Sequence, residues 1–124
     1  MIKKIQRKNF EIRFYEKLLE KKPNFLQALS CLGNAYTRKG FYKEGLAIDR
    51  KLVKLKPEDP IVHYNLACSL SLMGEDEQAL RELKRAVLLG YDDFTYILED
   101  ADLESLRKIP KFNTFFEKLK RIRP

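Results

Sequence analysis

Residues 26–59, LQALSCLGNAYTRKGFYKEGLAIDRKLVKLKPED, and residues 60–93, PIVHYNLACSLSLMGEDEQALRELKRAVLLGYDD, are consecutive blocks of 34 residues that align without a gap. In register, Leu32 falls on Leu66, Gly40 on Gly74, Leu46 on Leu80, Val53 on Val87 and Leu55 on Leu89. Gly33 meets Ala67, both small, and Tyr36 meets Leu70, both large; Pro23 meets Pro57. Self-similarity at such a period marks stacked supersecondary units, each leaving an apolar face for its neighbour to bury.

Inside each block the apolar period is helical. Leu29, Leu32 and Tyr36, then Leu46, Leu52, Val53 and Leu55, recur at steps close to three and four residues. Gly40 and Gly74 each follow a helical stretch and precede a polar turn, as a left-handed C-terminal position requires. Pro57 and Pro60 close one helix and open the next. Each block therefore predicts a hairpin of two helices, roughly 14 residues apiece. Gly33 sits mid-helix, where glycine costs about 1 kcal/mol against alanine. That cost makes sense if a neighbouring helix packs close against it.

The pattern resembles the tetratricopeptide repeat (TPR) family, W-x2-L-G-x2-Y, then G-x-Y-x2-A, then an aromatic, an alanine and a closing proline. The first block supplies Leu29, Leu32, Gly33, Tyr36, Gly40, Tyr42 and Pro57; the second supplies Leu66, Ala67, Gly74, Ala79, Leu80 and Ala86. Departures are Gly45 for alanine, Asp49 for a large aromatic, His63 for tryptophan and Tyr91 for the second closing proline. The resemblance implies an all-α fold, a right-handed superhelix of antiparallel hairpins. The expected organisation is a single domain over residues 1–124. Residues 3–25 form a capping helix, 26–59 the first repeat, 60–93 the second and 94–124 a C-terminal helical cap. In the capping helix Phe10, Phe14, Leu18 and Leu19 are expected to face the first hairpin. The run from Asp102 to Phe112, D-L-x-x-L-R-x-x-P-x-F, resembles a terminal element of bacterial TPR proteins. Phe112, Phe115, Phe116 and Leu119 then predict a final amphipathic helix behind Pro110.

Composition narrows the chemistry. The chain has 124 residues, 44% hydrophobic and 35% charged, enough apolar side chain for a core. No apolar run reaches the roughly 20 residues a membrane span needs. The longest uncharged stretch, 60–74, is interrupted by His63, Asn65 and Ser/Cys side chains. The basic start lacks an apolar segment behind it, so no secretory signal is expected and the chain reads as cytoplasmic. Two cysteines and one histidine make neither a disulfide scaffold nor an ordinary zinc site. No metal and no cofactor are expected. The net charge of +7 is uneven, with residues 60–93 net acidic between basic flanks. His63 is expected between the helices of its hairpin, Cys31 and Cys68 as small thiols, and the carboxylates at 75–77 and 99–102 as helix caps. No catalytic residue is assigned.

Binding is the function the repeats imply. In stacked hairpins the first helices line a concave side used for extended partners. Helical spacing assigns to it Gln27, Ser30, Asn34, Thr37 and Arg38, then Ile61, Tyr64, Asn65, Cys68, Ser71 and Leu72. Tyr64, Asn34, Asn65 and Arg38 are the foremost candidates, because amide side chains can pair with a peptide backbone through donor and acceptor. The expected role is a non-catalytic adaptor for a protein or peptide. Asn34 and Asn65 also fall on the two asparagine places of the carboxylate clamp of some TPR co-chaperones. Ser30 replaces that clamp's first lysine, and a third unit is missing. Two alternatives remain. Lys3, Lys4, Arg7, Lys8 and Arg13, with Phe10 and Phe14, could contact RNA or DNA, although those rings are expected on the buried stripe. Surplus apolar surface at Phe115, Phe116 and Leu119 could drive a weak homodimer in place of a monomer.

Overall fold

The computed structural model describes residues 9–122, and among them every regular element is helical. The basic residues Lys3, Lys4, Arg7 and Lys8 lie outside the described residues. The described residues fall into two compact units that divide between Pro57 and Glu58.

The first unit contains α1 (Phe10–Lys21), α2 (Leu26–Arg38) and α3 (Tyr42–Leu55). Helices α2 and α3 form the hairpin expected of the first block, and α1 packs on α2. Gly40 ends α2 at φ 84°, and the Phe41 N–H closes back onto the Tyr36 carbonyl at 2.8 Å. That six-residue closure satisfies carbonyls the helix end would otherwise leave open. Ile12, Leu32, Ala35 and Tyr36 form the core, flanked by Tyr15, Leu19, Phe41 and Ile48. The Tyr36 hydroxyl donates to Glu16, tying α2 to α1.

Two glycines of the first hairpin, one matching the repeat pattern and one departing from it, have local causes. A Cβ at Gly33 would stand 3.1 Å from Ile48 Cγ2 and 3.3 Å from Asp49 Oδ1, so α2 and α3 touch where the small residue sits. A Cβ at Gly45 would stand 2.8 Å from Thr37 Oγ1, a hydroxyl that donates to the Gly33 carbonyl. Glycine stands there, where the TPR pattern has alanine, because that hydroxyl occupies the space a methyl would need.

Helix α1 differs from expectation in the side it buries. Ile12, Tyr15 and Leu19 face the hairpin, whereas Phe10 and Phe14 are exposed. The helix carries two apolar stripes, and the one with Ile12 joins the buried cluster of Leu32, Ala35 and Tyr36.

The second unit contains α4 (Pro60–Leu72), α5 (Asp76–Leu88), α6 (Phe94–Glu99), a 3₁₀ turn (Ala101–Leu103), α7 (Glu104–Arg107) and α8 (Pro110–Ile122). Asp59 caps α4 by accepting from the Ile61 N–H at 2.9 Å, with Pro60 in the first turn. Gly74 repeats the ending of α2 at φ 77°, one period further along. α4 and α5 form the second hairpin, and His63 Nδ1 reaches Glu82 of α5 at 2.7 Å, between the helices as expected. The 3₁₀ turn packs on α4, α7 on α4 and α5, and α8 on α7. Leu103, Leu106 and Phe112 are buried, each contributing about 1.5–3 kcal/mol of apolar burial. Arg107 donates to the Ile97 carbonyl at 2.9 Å and the Asp100 carbonyl at 2.6 Å, closing the end of α6. Phe116 and Leu119 are buried and Phe115 is half-buried beneath Lys84, so these residues do not supply the surplus surface expected for a homodimer.

Candidate functional site

The eleven residues assigned to the concave side divide by unit. On α2, Gln27, Ser30, Asn34 and Arg38 are exposed and Thr37 is half-buried. They share one side of the helix because Ala28, Leu29, Leu32, Ala35 and Tyr36 take the other toward α1 and α3. The face carries two amides, two hydroxyls and a guanidinium, the last within 3.3 Å of Glu11 on α1. Both partners of that pair are solvated, so it restrains Arg38 only weakly.

On α4 the equivalent positions are closed. One period on from Ser30, Asn34 and Thr37 stand Tyr64, Cys68 and Ser71, and all three are buried. The chain's own C-terminal segment covers them. The Tyr64 hydroxyl donates to Asp100 Oδ2 at 2.7 Å, the Cys68 thiol approaches the same oxygen at 3.6 Å, and the Leu106 N–H donates to Ser71 Oγ at 3.3 Å. Tyr91 stacks on Tyr64 at 4.3 Å between centroids with the rings 5° from parallel. The expectation that Tyr64, Cys68 and Ser71 line an open wall is therefore corrected. Of the α4 residues, Ile61 is exposed, and Asn65 and Leu72 are half-buried.

The cover has an electrostatic signature. Burial, then the neighbouring Cys68 and the hydrogen bond to Asp100, push the Tyr64 hydroxyl far above the usual phenol range. Burial pushes Tyr91 up to about 12. Burial and the Asp100 charge raise the Cys68 thiol as well, which removes it as a nucleophile near neutral pH. Among the described residues, Cys68, Asp100 and Asp102 bring three donor atoms within 4.8 Å of one another, a spacing a metal ion could use. Asp100 is already engaged by the Tyr64 hydroxyl, the Cys68 thiol and the Asp102 N–H, the last at 3.0 Å. Hydrogen bonding within the protein accounts for the cluster.

Sequence reasoning missed Asp100, Tyr91 and Leu106 as the cover of α4. One signal was available: α4 holds no Asp, Glu, Lys or Arg at any of its 13 positions, and a helix without a charged face is surrounded.

The described helices and their hairpin period fit a TPR-like helical repeat, and none of them is long and apolar enough to cross a membrane. No family model matches the chain. Over 55 residues, 44% of the chain, it is 40% identical to the TPR repeat-containing thioredoxin TTL4 of Arabidopsis thaliana, 8% of that protein. Over 84 residues, 65% of the chain, it is 34% identical to a chloroplastic protein of the same plant, 25% of that protein. The chain thus spans a quarter or less of these curated relatives.

Proposed function

We propose that the chain is a non-catalytic protein-interaction module that holds an extended segment of a partner protein on the exposed face of α2. The right-handed superhelical stacking implied by the TPR resemblance belongs to this proposal. One contrast supports the reading. The face that the C-terminal segment closes on α4 is open on α2, where it presents Gln27, Ser30, Asn34 and Arg38. Amides there can pair with both the N–H and the C=O of a peptide backbone, and Arg38 can take a carboxylate in place of Glu11. The compartment proposed is the reducing cytoplasm, where the free thiols of Cys31 and Cys68 would persist.

Affinity capture from native extract, with the wild-type chain and a Gln27→Ala/Asn34→Ala variant, tests this. Both positions are exposed, so helicity and melting should hold while a specific set of captured proteins is lost. An unchanged set would remove the α2 face from consideration. A captured fraction that is mainly nucleic acid and falls steeply between 50 and 200 mM salt would favour the polyanion alternative.

A further inference from the structure

Among the described residues, none covers the outward face of helix α1. Phe10 is 78% and Phe14 51% exposed, and their rings stack on each other at 6.3 Å between centroids. With the half-buried Leu18 they advance four residues at a time along one side of α1. A shallow open groove of about 620 Å³ runs along that side, edged by Arg13, Lys17 and Lys21. Anchors at such spacing are the footprint of a second helix laid alongside.

Charge decides what kind of helix fits. Three cations border the stripe against one exposed anion, Glu20, while Glu11 and Glu16 turn toward α2 to meet Arg38 and Tyr36. A second copy of this face would set cations against cations. The outward faces of the other long helices are no better matched. α3 presents Lys43, Arg50 and Lys54; the exposed carboxylates of α5 and α8, Glu77 and Glu117, stand beside Arg81, Lys84 and Arg85 and beside Lys118 and Arg121, and are already paired with Lys111 and Lys120. A phosphate backbone would meet Glu20 beside the rings. What complements the face is a helix with its own apolar stripe and flanking carboxylates.

We propose that this face of α1 docks an acidic amphipathic helix of a partner protein. Phe10 and Phe14 enter its apolar stripe, and Arg13, Lys17 and Lys21 pair with its carboxylates. The site is separate from the polar face of α2 and could be occupied at the same time.

The test uses the full chain and two labelled synthetic helical peptides of about 18 residues, long enough to populate a helix. Both carry leucines at i, i+3, i+4 and i+7; one has glutamates and the other lysines on its flanks. Fluorescence anisotropy should show the acidic peptide binding at least tenfold tighter than the basic one. Phe10→Ser/Phe14→Ser should abolish the binding without loss of helicity, and Lys17→Glu/Lys21→Glu should reverse the preference toward the basic peptide. Lys118→Glu, a charge reversal on α8, should leave it unchanged. Equal affinity for both peptides, or none for either, overturns the proposal. So does displacement of the acidic peptide by a single-stranded oligonucleotide, or a dimer in sedimentation that the phenylalanine variant dissolves.

Discussion

Tyr64→Phe isolates the contact that closes the face of α4. The substitution keeps the ring stacked on Tyr91 and removes only the hydroxyl that reaches Asp100 at 2.7 Å. Asp100 is 8% exposed, so its carboxylate cannot recover a full shell of water. It keeps the Asp102 N–H and the weak thiol donor of Cys68. Loss of a hydrogen bond to a charged group costs about 1.5–3 kcal/mol, or roughly 6–24 °C in melting temperature for a unit this size. A second signature comes from pH. The folded-state pKa of Tyr64 is raised, so unfolded tyrosine releases its proton near pH 10 while the native one retains it. The stability this group contributes is complete below pH 10 and is lost as pH rises, by about 1.4 kcal/mol per pH unit per tyrosine. Wild-type stability should therefore fall between pH 10 and 12, and Tyr64→Phe should flatten that fall by about one proton. Urea titrations monitored by circular dichroism at pH 7, 10 and 11 measure both effects. A melt within about 0.5 kcal/mol of wild type, with an unchanged alkaline slope, would refute the reasoning.

Gly33→Leu should destabilise the first unit by about 1–3 kcal/mol through overpacking against Ile48 and Asp49, read from its denaturation midpoint. Gly45→Ala should fail to gain the roughly 1 kcal/mol expected from helix propensity, because its methyl meets Thr37 Oγ1. With Thr37→Ala in the background the gain should return, giving a coupling of about 1 kcal/mol in a double-mutant cycle; strictly additive effects would contradict the packing. Asp59→Ala removes the N-cap of α4 and should cost about 1 kcal/mol by urea titration, and no change would show the cap to be dispensable.

How far the sequence could be read depended on the range of the interaction concerned. The hairpin α2–α3 was legible because Leu29, Leu32, Gly40 and Pro57 act within a few residues of themselves. His63 was placed correctly between its helices for the same reason, since the partner helix follows directly along the chain. The candidate site was half legible. Gln27, Ser30, Asn34 and Arg38 emerge on one exposed side because spacing of three and four residues fixes a helical face. Tyr64, Cys68 and Ser71 obey the same spacing and are buried nonetheless. What covers them is Asp100 and Leu106, 32 to 36 positions away in pairs that no periodicity links.

By itself the sequence determined the repeat, the helical type of its elements and the turns between them. These follow from backbone preference, hydrophobic period and the left-handed freedom of Gly40 and Gly74. Only tertiary structure decided which of two apolar stripes α1 buries, and that one face of α4 is closed while the equivalent positions of α2 are open. Both are settled by packing, which takes Ile12 into the cluster of Leu32, Ala35 and Tyr36, and by Asp100, a buried carboxylate bonded to Tyr64 far back along the chain.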